Sequence, residues 1–416
     1  MTKMKFLFAD SQDYIDPGFD FDKEEYTSDR MAHRDDVYPH EFFDRAPYDG
    51  MLVSRATVGD ERRKGKYSTA QSIRFRREGA AKYLRYTGAM IMGDCGAFSY
   101  VAEAIPPYTV PEMVDYYADC GFTHAVSIDH VILSYNESYD RTSLFGGDPV
   151  PESLRFRYDL TLRLAREFRD YCQRHEAPFV PIGVAQGWSP TSYAEAVRRL
   201  VDMGYSYIAL GGMVPLKVDQ IKRILGEVRT VEPDVKIHLF GFTKADDIED
   251  FTHYGIESFD STSPMIRAFK DERKNYLASD RKWYSAVRVP QADENRQMKQ
   301  SILAGFKNQR QLYAEEDAAL RAIRAYGRRE IGLDTAMPPI VVYDQHLNQK
   351  DRSSLYRQTL AARPWEGCDC GVCRQAGIEV IIFRGSNRNR RRGFHNLWTF
   401  YQQLRAARGQ TQEAAA

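Results

Sequence analysis

Apolar runs of strand length recur along the chain, and each ends in a carboxylate, a carboxamide or a glycine. They are Ala89-Met-Ile-Met-Gly-Asp94, Ala125-Val-Ser-Ile-Asp129, Val180-Pro-Ile-Gly-Val-Ala-Gln186, Tyr207-Ile-Ala-Leu-Gly-Gly212, Ile237-His-Leu-Phe-Gly241 and Ser258-Phe-Asp260. Between them the spacing changes to a helical one. Glu152 to His175 places Leu154, Tyr158, Leu162, Ala165, Phe168 and Cys172 on one face, the 3.6-residue period of an amphipathic helix. Pro111 to Gly121, Ser189 to Gly204, Val218 to Val228 and Asp246 to Tyr254 read the same way, with Pro near the start or Gly at the stop of the first two. Strand starts fall near 51, 89, 123, 179, 207, 236, 258 and 283, and eight strand-helix units over roughly 250 residues is the size of a (β/α)8 TIM barrel. A doubly wound sheet is the competing architecture, but no G-x-G-x-x-G opens a helix after a strand. Parallel barrel strands gather their C-terminal ends at one mouth, so the terminal acids, Gln186 and the glycines would share a pocket.

Outside this alternation the pattern differs. Residues 1–48 are acidic and aromatic with no sustained period, and read as a lead-in that packs on the barrel, with a short strand at Lys5-Phe-Leu-Phe-Ala9. The barrel core is expected over 49–290, a charged helical segment over 291–350 with a short strand at Pro338-Pro-Ile-Val-Val-Tyr343, a C-terminal zinc-binding subdomain with the final barrel helix over 351–408, and a frayed tail over 409–416. No apolar run approaches the ~20 residues that span a bilayer, and the first residues lack a signal-peptide core. The expectation is a soluble, cytoplasmic protein with no membrane partner.

Charge redraws this picture only locally. The chain has 58 basic and 58 acidic residues, which excludes a global polyelectrolyte field, yet residues 1–50 hold 13 acids against 6 bases while 351–416 hold 11 Arg against 5 acids. Arg62, Arg63, Lys64, Lys66, Arg74, Arg76 and Arg77 crowd one stretch, to be read either as a solvated helix face or as a phosphate-contacting surface. Arg384, Arg388, Arg390, Arg391 and Arg392 form a second cluster with no acid between 384 and 392. They suit nucleic-acid phosphates, with a solvated arginine-rich loop as the alternative.

Three of the six cysteines sit at Cys368, Cys370 and Cys373, and His395 follows after 21 intervening residues. Three thiolates and an imidazole form the closed tetrahedral donor set of a structural Zn2+ site, with no position left for catalytic water. At the strand ends, Asp94, Asp129 and Asp260 are the candidates for divided labour, one acting as nucleophile at a sugar carbon while another moves protons. Each alone could equally cap the next helix. Phe98 and Phe240, beside Gly96 and Gly241, could hold a planar ligand or simply fill core.

Gly93-Asp-Cys-Gly-Ala-Phe98, Val184-Ala-Gln-Gly187, Ala209-Leu-Gly-Gly212, Leu239-Phe-Gly-Phe242 with Asp246-Asp247, and Phe259-Asp260, followed by C-x-C-x2-C and a histidine, together resemble the tRNA-guanine transglycosylase superfamily over about residues 50–405. The resemblance implies a (β/α)8 barrel with a zinc subdomain and a double displacement. Asp260 would be the nucleophile and Asp94 the general base. Asp129, Gln186, Gly187, Leu210, Gly211, Gly212 and Gly241 would surround the base, sandwiched by Phe98 and Phe240. The chain departs from the tRNA enzymes at Ser99, at Lys217, which replaces a loop acid, and after Asp260, where the usual arginine-rich run is missing. Phe8-Ala-Asp-Ser-Gln-Asp13 and Arg391-Arg-Gly-Phe-His-Asn396 resemble the DpdA-type branch. That branch exchanges guanine in DNA for 7-cyano-7-deazaguanine (preQ0) as part of a modification and restriction system, in which accessory proteins are possible partners. The alternatives are the same chemistry on tRNA, and a non-catalytic, zinc-stabilised nucleic-acid-binding barrel. A barrel hydrolase with a catalytic metal would need a histidine pair at the strand ends, which the motifs lack.

Overall fold

Eight parallel strands hydrogen-bond in sequence order: β1 (Lys5–Ala9), β2 (Gly50–Ser54), β3 (Ile91–Asp94), β4 (His124–Val126), β5 (Val180–Ala185), β6 (Tyr207–Leu210), β7 (Lys236–Leu239) and β8 (Ile256–Asp260). β8 then pairs with β1, Leu7 lying opposite Asp260, and the barrel closes. The structure is a computed structural model that describes residues 4–413 apart from 141–146, 243–244, 294 and 348–350.

Helices cross between the strands as the periodicity predicts, at Val110–Asp119, Glu152–Arg174, Pro190–Asp202 and Val218–Val231. Thr109 and Ser189 cap the first and third, each accepting a bond from a backbone N–H three residues on. The 246–254 stretch is a 3-10 helix, Ala245–Tyr254, instead of an α-helix. Alternate strand residues fill the barrel interior: Leu7, Leu52, Met92, Val126, Ile182, Val184, Tyr207 and Ala209 pack together. The intervening residues, among them Phe6, Val53, Ile91, Ile208, Ile237 and Phe259, are equally buried. This two-sided burial is why the strands read as continuous apolar runs.

The register corrects the expected strand set. β1, placed above in the lead-in, is a barrel strand with Leu7 in the interior cluster. Trp283–Tyr284, taken as the eighth strand, is two half-buried residues paired antiparallel with Tyr276–Leu277, too short to form a stave of the wall.

The chain divides into two compact units, one of residues 1–12, 48–262 and 404–416, the other of 13–47 and 263–403. The second is mostly helical, with Arg296–Leu303, Gln309–Gly327, Leu333–Asp344, Ser353–Ala362 and Gly371–Ala376. The strand expected at Pro338–Tyr343 lies inside Leu333–Asp344: Ala336, Ile340 and Tyr343 are buried at helical spacing, and an apolar run this short carries no strand period to tell the two apart. The long helix Ser386–Glu413 contributes to both units. It continues through the expected tail as far as Glu413. In the barrel unit Arg408 pairs with Asp49 at 2.6 Å and Leu404 and Ala407 are buried; residues 414–416 lie outside the described residues. No described helix is long and apolar enough to cross a membrane.

Candidate active site and metal centre

The mouth of the barrel collects the predicted residues from consecutive strand ends. Asp94 ends β3 opposite Ser54 of β2, Asp129 follows β4, Gln186 follows β5, Gly211 and Gly212 follow β6, Phe240 and Gly241 follow β7, and Asp260 ends β8. Asp129 and Gln186 form one rigid unit. The Gln186 amide donates to Asp129 Oδ2 at 2.6 Å, its carbonyl oxygen accepts from the Ile132 N–H at 3.1 Å, and the Cys95 thiol donates to Asp129 Oδ1 at 3.2 Å. A Cβ at Gly211 would stand 2.0 Å from Gln186 Nε2, so any larger residue there must displace the carboxamide. The Tyr193 hydroxyl holds the adjoining loop by donating to the Gly211 carbonyl at 2.8 Å. Gly187 and Leu210 are buried beside these groups, Phe240 is half-buried, and Phe98 is 52% exposed on the turn after β3.

The carboxylates differ in environment. Burial pushes the Asp94 carboxyl up to about 6, against the hydrogen bonds from Ser54 and the Gly96 backbone, and the Asp260 charge adds to the rise. Burial, helped by the Asp94 charge, takes Asp129 up to about 7. Asp260 accepts instead: Gly241 N–H reaches its Oδ1 at 2.8 Å, and His238 Nε2 approaches the same oxygen at 3.3 Å. Gly241 adopts φ +58°, the left-handed turn that aims this N–H.

Sequence reading assigned no role to His238, Ser258, Tyr207, Ser54 or Tyr100. Strand parity could have found the first three, since His238 lies opposite Ser258 and two residues before Phe240. All three are buried, with the His238 Nδ1 2.6 Å from Ser258 Oγ and the Tyr207 hydroxyl bonded to the same Oγ.

In the second unit, the ligand atoms of Cys368, Cys370, Cys373 and His395 lie within 4.8 Å of one another. His395 Nδ1 stands 3.5, 3.4 and 3.3 Å from the three sulfurs, close to the ~3.5 Å edge of a tetrahedron with metal-ligand bonds of 2.0–2.3 Å. The other ring nitrogen donates to the Leu277 carbonyl at 2.8 Å, which fixes the tautomer that leaves Nδ1 free to ligate. Tyr276 stacks on the imidazole at 3.9 Å and its hydroxyl meets Cys373 Sγ at 3.2 Å. The four side chains can hold a metal ion, and the set leaves no ligand position over for water.

The arginine cluster is corrected by its burial. Arg384, Arg388, Arg391 and Arg392 are each at most 5% exposed and engage protein. Arg388 clasps Glu24 through two nitrogens at 2.6 and 2.7 Å and reaches Glu379 at 2.7 Å; Arg384 pairs with Glu316 at 2.8 Å. Arg391 donates to the Asp16 and Pro17 carbonyls, and Arg392 to those of Ala268, Val380 and Ile382. Arg390 is half-buried and donates to the Tyr14 carbonyl at 3.2 Å. Guanidiniums buried inside the fold and engaged by its own acids and carbonyls are not offered to phosphates. The 62–77 stretch is different: Arg62 pairs with Glu112, Arg63 with Glu103, and Arg74 and Arg77 with Glu78, yet Lys64, Lys66, Arg76 and Arg77 are all exposed.

No family model matches the chain. It is 42% identical over 411 residues to a DNA-guanine transglycosylase of Salmonella montevideo, with 97% of each chain covered. Identity at that level over nearly the whole length requires a shared fold. The chain therefore belongs to the guanine transglycosylases, a family of pentosyltransferases within the tRNA-guanine transglycosylase superfamily.

Proposed function

We propose that the protein exchanges guanine in DNA for a 7-deazaguanine base, 7-cyano-7-deazaguanine, by double displacement at C1′ of the deoxyribose. The observation that carries this is the pairing of Asp94, held near 6, with Asp260, which accepts two N–H groups on one oxygen: one acid tuned for proton transfer beside one oriented by fixed donors. The DNA substrate is supported by the relative's name.

The Asp260 carboxylate attacks C1′ as the bond to guanine N9 breaks, and protonated Asp94 gives its proton to the departing base. The ionised Asp94 then takes the N9 proton of the incoming base, whose nitrogen attacks C1′ and releases the Asp260 carboxylate. Protons and bonds balance over the cycle, two inversions give net retention, and neither ATP nor a redox cofactor is consumed. Asp129, Gln186 and the Leu210-Gly211-Gly212 backbone would read the edge of the base, with Phe98 and Phe240 against its faces. A guanine must leave the stack to reach a barrel mouth, at a cost of a few kcal/mol. Lys64, Lys66, Arg76 and Arg77 are the cations available to hold the distorted backbone. Zinc at Cys368, Cys370, Cys373 and His395 would brace the second unit without entering the chemistry. The setting we assign is a DNA modification and restriction system.

The test is incubation of labelled preQ0 with the wild-type protein and the Asp260→Ala variant, on duplex DNA and on unmodified tRNA separately. Label entering DNA alone, and lost in the variant, is the expected result. Label entering tRNA would reassign the polymer, and exchange surviving in Asp260→Ala would remove Asp260 as nucleophile.

A further inference from the structure

We propose that His238, with Ser258 and Tyr207 behind it, is a positioning residue that assigns different jobs to the two oxygens of Asp260: Oδ1 is held, and Oδ2 attacks. This rests on the reading of Asp260 as the nucleophile. The register puts the parts together, because His238 of β7 lies opposite Ser258 of β8, and both point into the barrel interior two residues below the mouth. His238 Nε2 is 3.3 Å from Asp260 Oδ1, Nδ1 is 2.6 Å from Ser258 Oγ, and Ser258 Oγ bonds the Tyr207 hydroxyl.

The direction of the chain follows from its ends. A nitrogen facing a carboxylate oxygen must carry a proton, so Nε2 is the N–H. On a neutral ring, Nδ1 is then an acceptor, and the Ser258 hydroxyl donates to it. Ser258 Oγ in turn accepts from Tyr207, whose phenol burial keeps protonated. The relay thus locks one tautomer and one ring orientation.

Its output is asymmetry at Asp260. Oδ1 accepts from Gly241 N–H and His238 Nε2–H, whereas Oδ2 has no hydrogen-bond partner among the described residues. When Oδ2 bonds to C1′, Oδ1 becomes the carbonyl oxygen of the glycosyl ester and already sits against two donors. When the incoming base displaces the ester, negative charge returns to the carboxylate, and the same donors stabilise it as leaving group. The device therefore serves both halves of the exchange, with no proton leaving His238.

The experiment uses full-length protein. Single-turnover guanine release and adduct decay are measured on the polymer the wild type labels, for His238→Leu, His238→Gln, Ser258→Ala and Asp260→Ala, with thermal unfolding of each. His238→Leu should lower both rates about 100-fold at unchanged KM for the incoming base. His238→Gln, which returns an N–H near the Nε2 position, should recover much of the loss, and Ser258→Ala should cost about tenfold. Equal loss in the Gln and Leu variants, or a change confined to KM, overturns the proposal. A second readout needs no activity: 15N spectra of histidine-labelled protein should show His238 as the Nε2–H tautomer, shifted by Ser258→Ala. An Nδ1–H tautomer overturns the relay even if exchange proceeds. Conversely, exchange surviving in Asp260→Ala with the Nε2–H tautomer present would refute the reading of Asp260 as nucleophile while leaving the hydrogen-bond relay standing.

Discussion

Replacing Arg388 with methionine separates the two meanings of the arginine cluster. Arg388 is 1% exposed, clasps Glu24 through two nitrogens, bonds Glu379 with a third and donates also to the Phe21 carbonyl at 3.0 Å. Removing one member of a buried ion pair costs about 3–5 kcal/mol, because the partner charge stays behind in a poorly solvated place. Here the acids are not left alone. Glu379 keeps Arg324 at 2.7 Å, and Glu24 keeps Arg384 at 3.3 Å and Arg324 at 3.5 Å. Methionine also refills most of the apolar stem's volume. These two facts place the loss at the lower end, about 3 kcal/mol, or roughly 6–12 °C in the transition of a unit this size. Urea unfolding followed by fluorescence, alongside DNA binding measured as a function of salt, is the assay. Arg390→Ala, whose only polar contact among the described residues is the Tyr14 carbonyl, is the control and should cost under about 1 kcal/mol. A loss below about 1 kcal/mol for Arg388→Met, together with weaker DNA binding and a shallower salt slope, would refute the structural reading and return the cluster to phosphate contact.

Three other outcomes are expected. Asp94 held near 6 predicts opposite pH limbs for the two halves of the exchange: guanine release needs the protonated acid and should fall as pH rises past about 6, while attack by the incoming base needs the carboxylate and should fall about tenfold per pH unit below it. Rapid-quench measurement of both halves between pH 5 and 8 checks this, and flat profiles would exclude Asp94. Gly211→Ala should push the Gln186 carboxamide off Asp129, since the new Cβ would lie 2.0 Å from its nitrogen; a more than tenfold rise in KM for the incoming base at little change in melting temperature is the expectation, and an unchanged KM would deny Gln186 a part in base recognition. Elemental analysis should find about one zinc per chain, and a chelator with a thiol reagent should abolish the cooperative unfolding of the second unit; protein that stays metal-free and equally stable would refute the site.

The barrel was legible wherever a strand was buried on both faces and ended in a residue of different chemistry, as at Asp94, Gln186 and Asp260. β1 escaped because 40 residues with no period follow it before Gly50, so nothing local marked it as the first of eight. Trp283 and Tyr284 do form a strand, as their β-propensity suggests, but it pairs only with Tyr276–Leu277 and not with the barrel wall, a partner choice that propensity does not encode. The metal ligands were readable because their chemistry is carried by spacing. The arginines were not, since Arg388 finds Glu24 across 364 positions of sequence and no local pattern encodes such a partner. His238 lay inside a strand whose polar terminus drew attention away from the interior residue that faces Asp260.

Both ends of the sequence must meet before either unit is complete, and this constrains how the molecule is made. β1 hydrogen-bonds β8, so the ring of strands cannot close until Asp260 has been synthesised. Residues 13–47 wait longer, because Glu24 is met by Arg384 and Arg388. At ~5–20 residues per second a ribosome needs on the order of 10–50 s to bring β8 out after β1. For that interval Phe6, Leu7 and Phe8 have no neighbour on one side, an apolar edge in a nascent chain and therefore a natural point of chaperone capture. Moving β1 by circular permutation to follow β8 should shorten that wait and raise soluble yield without altering the folded barrel.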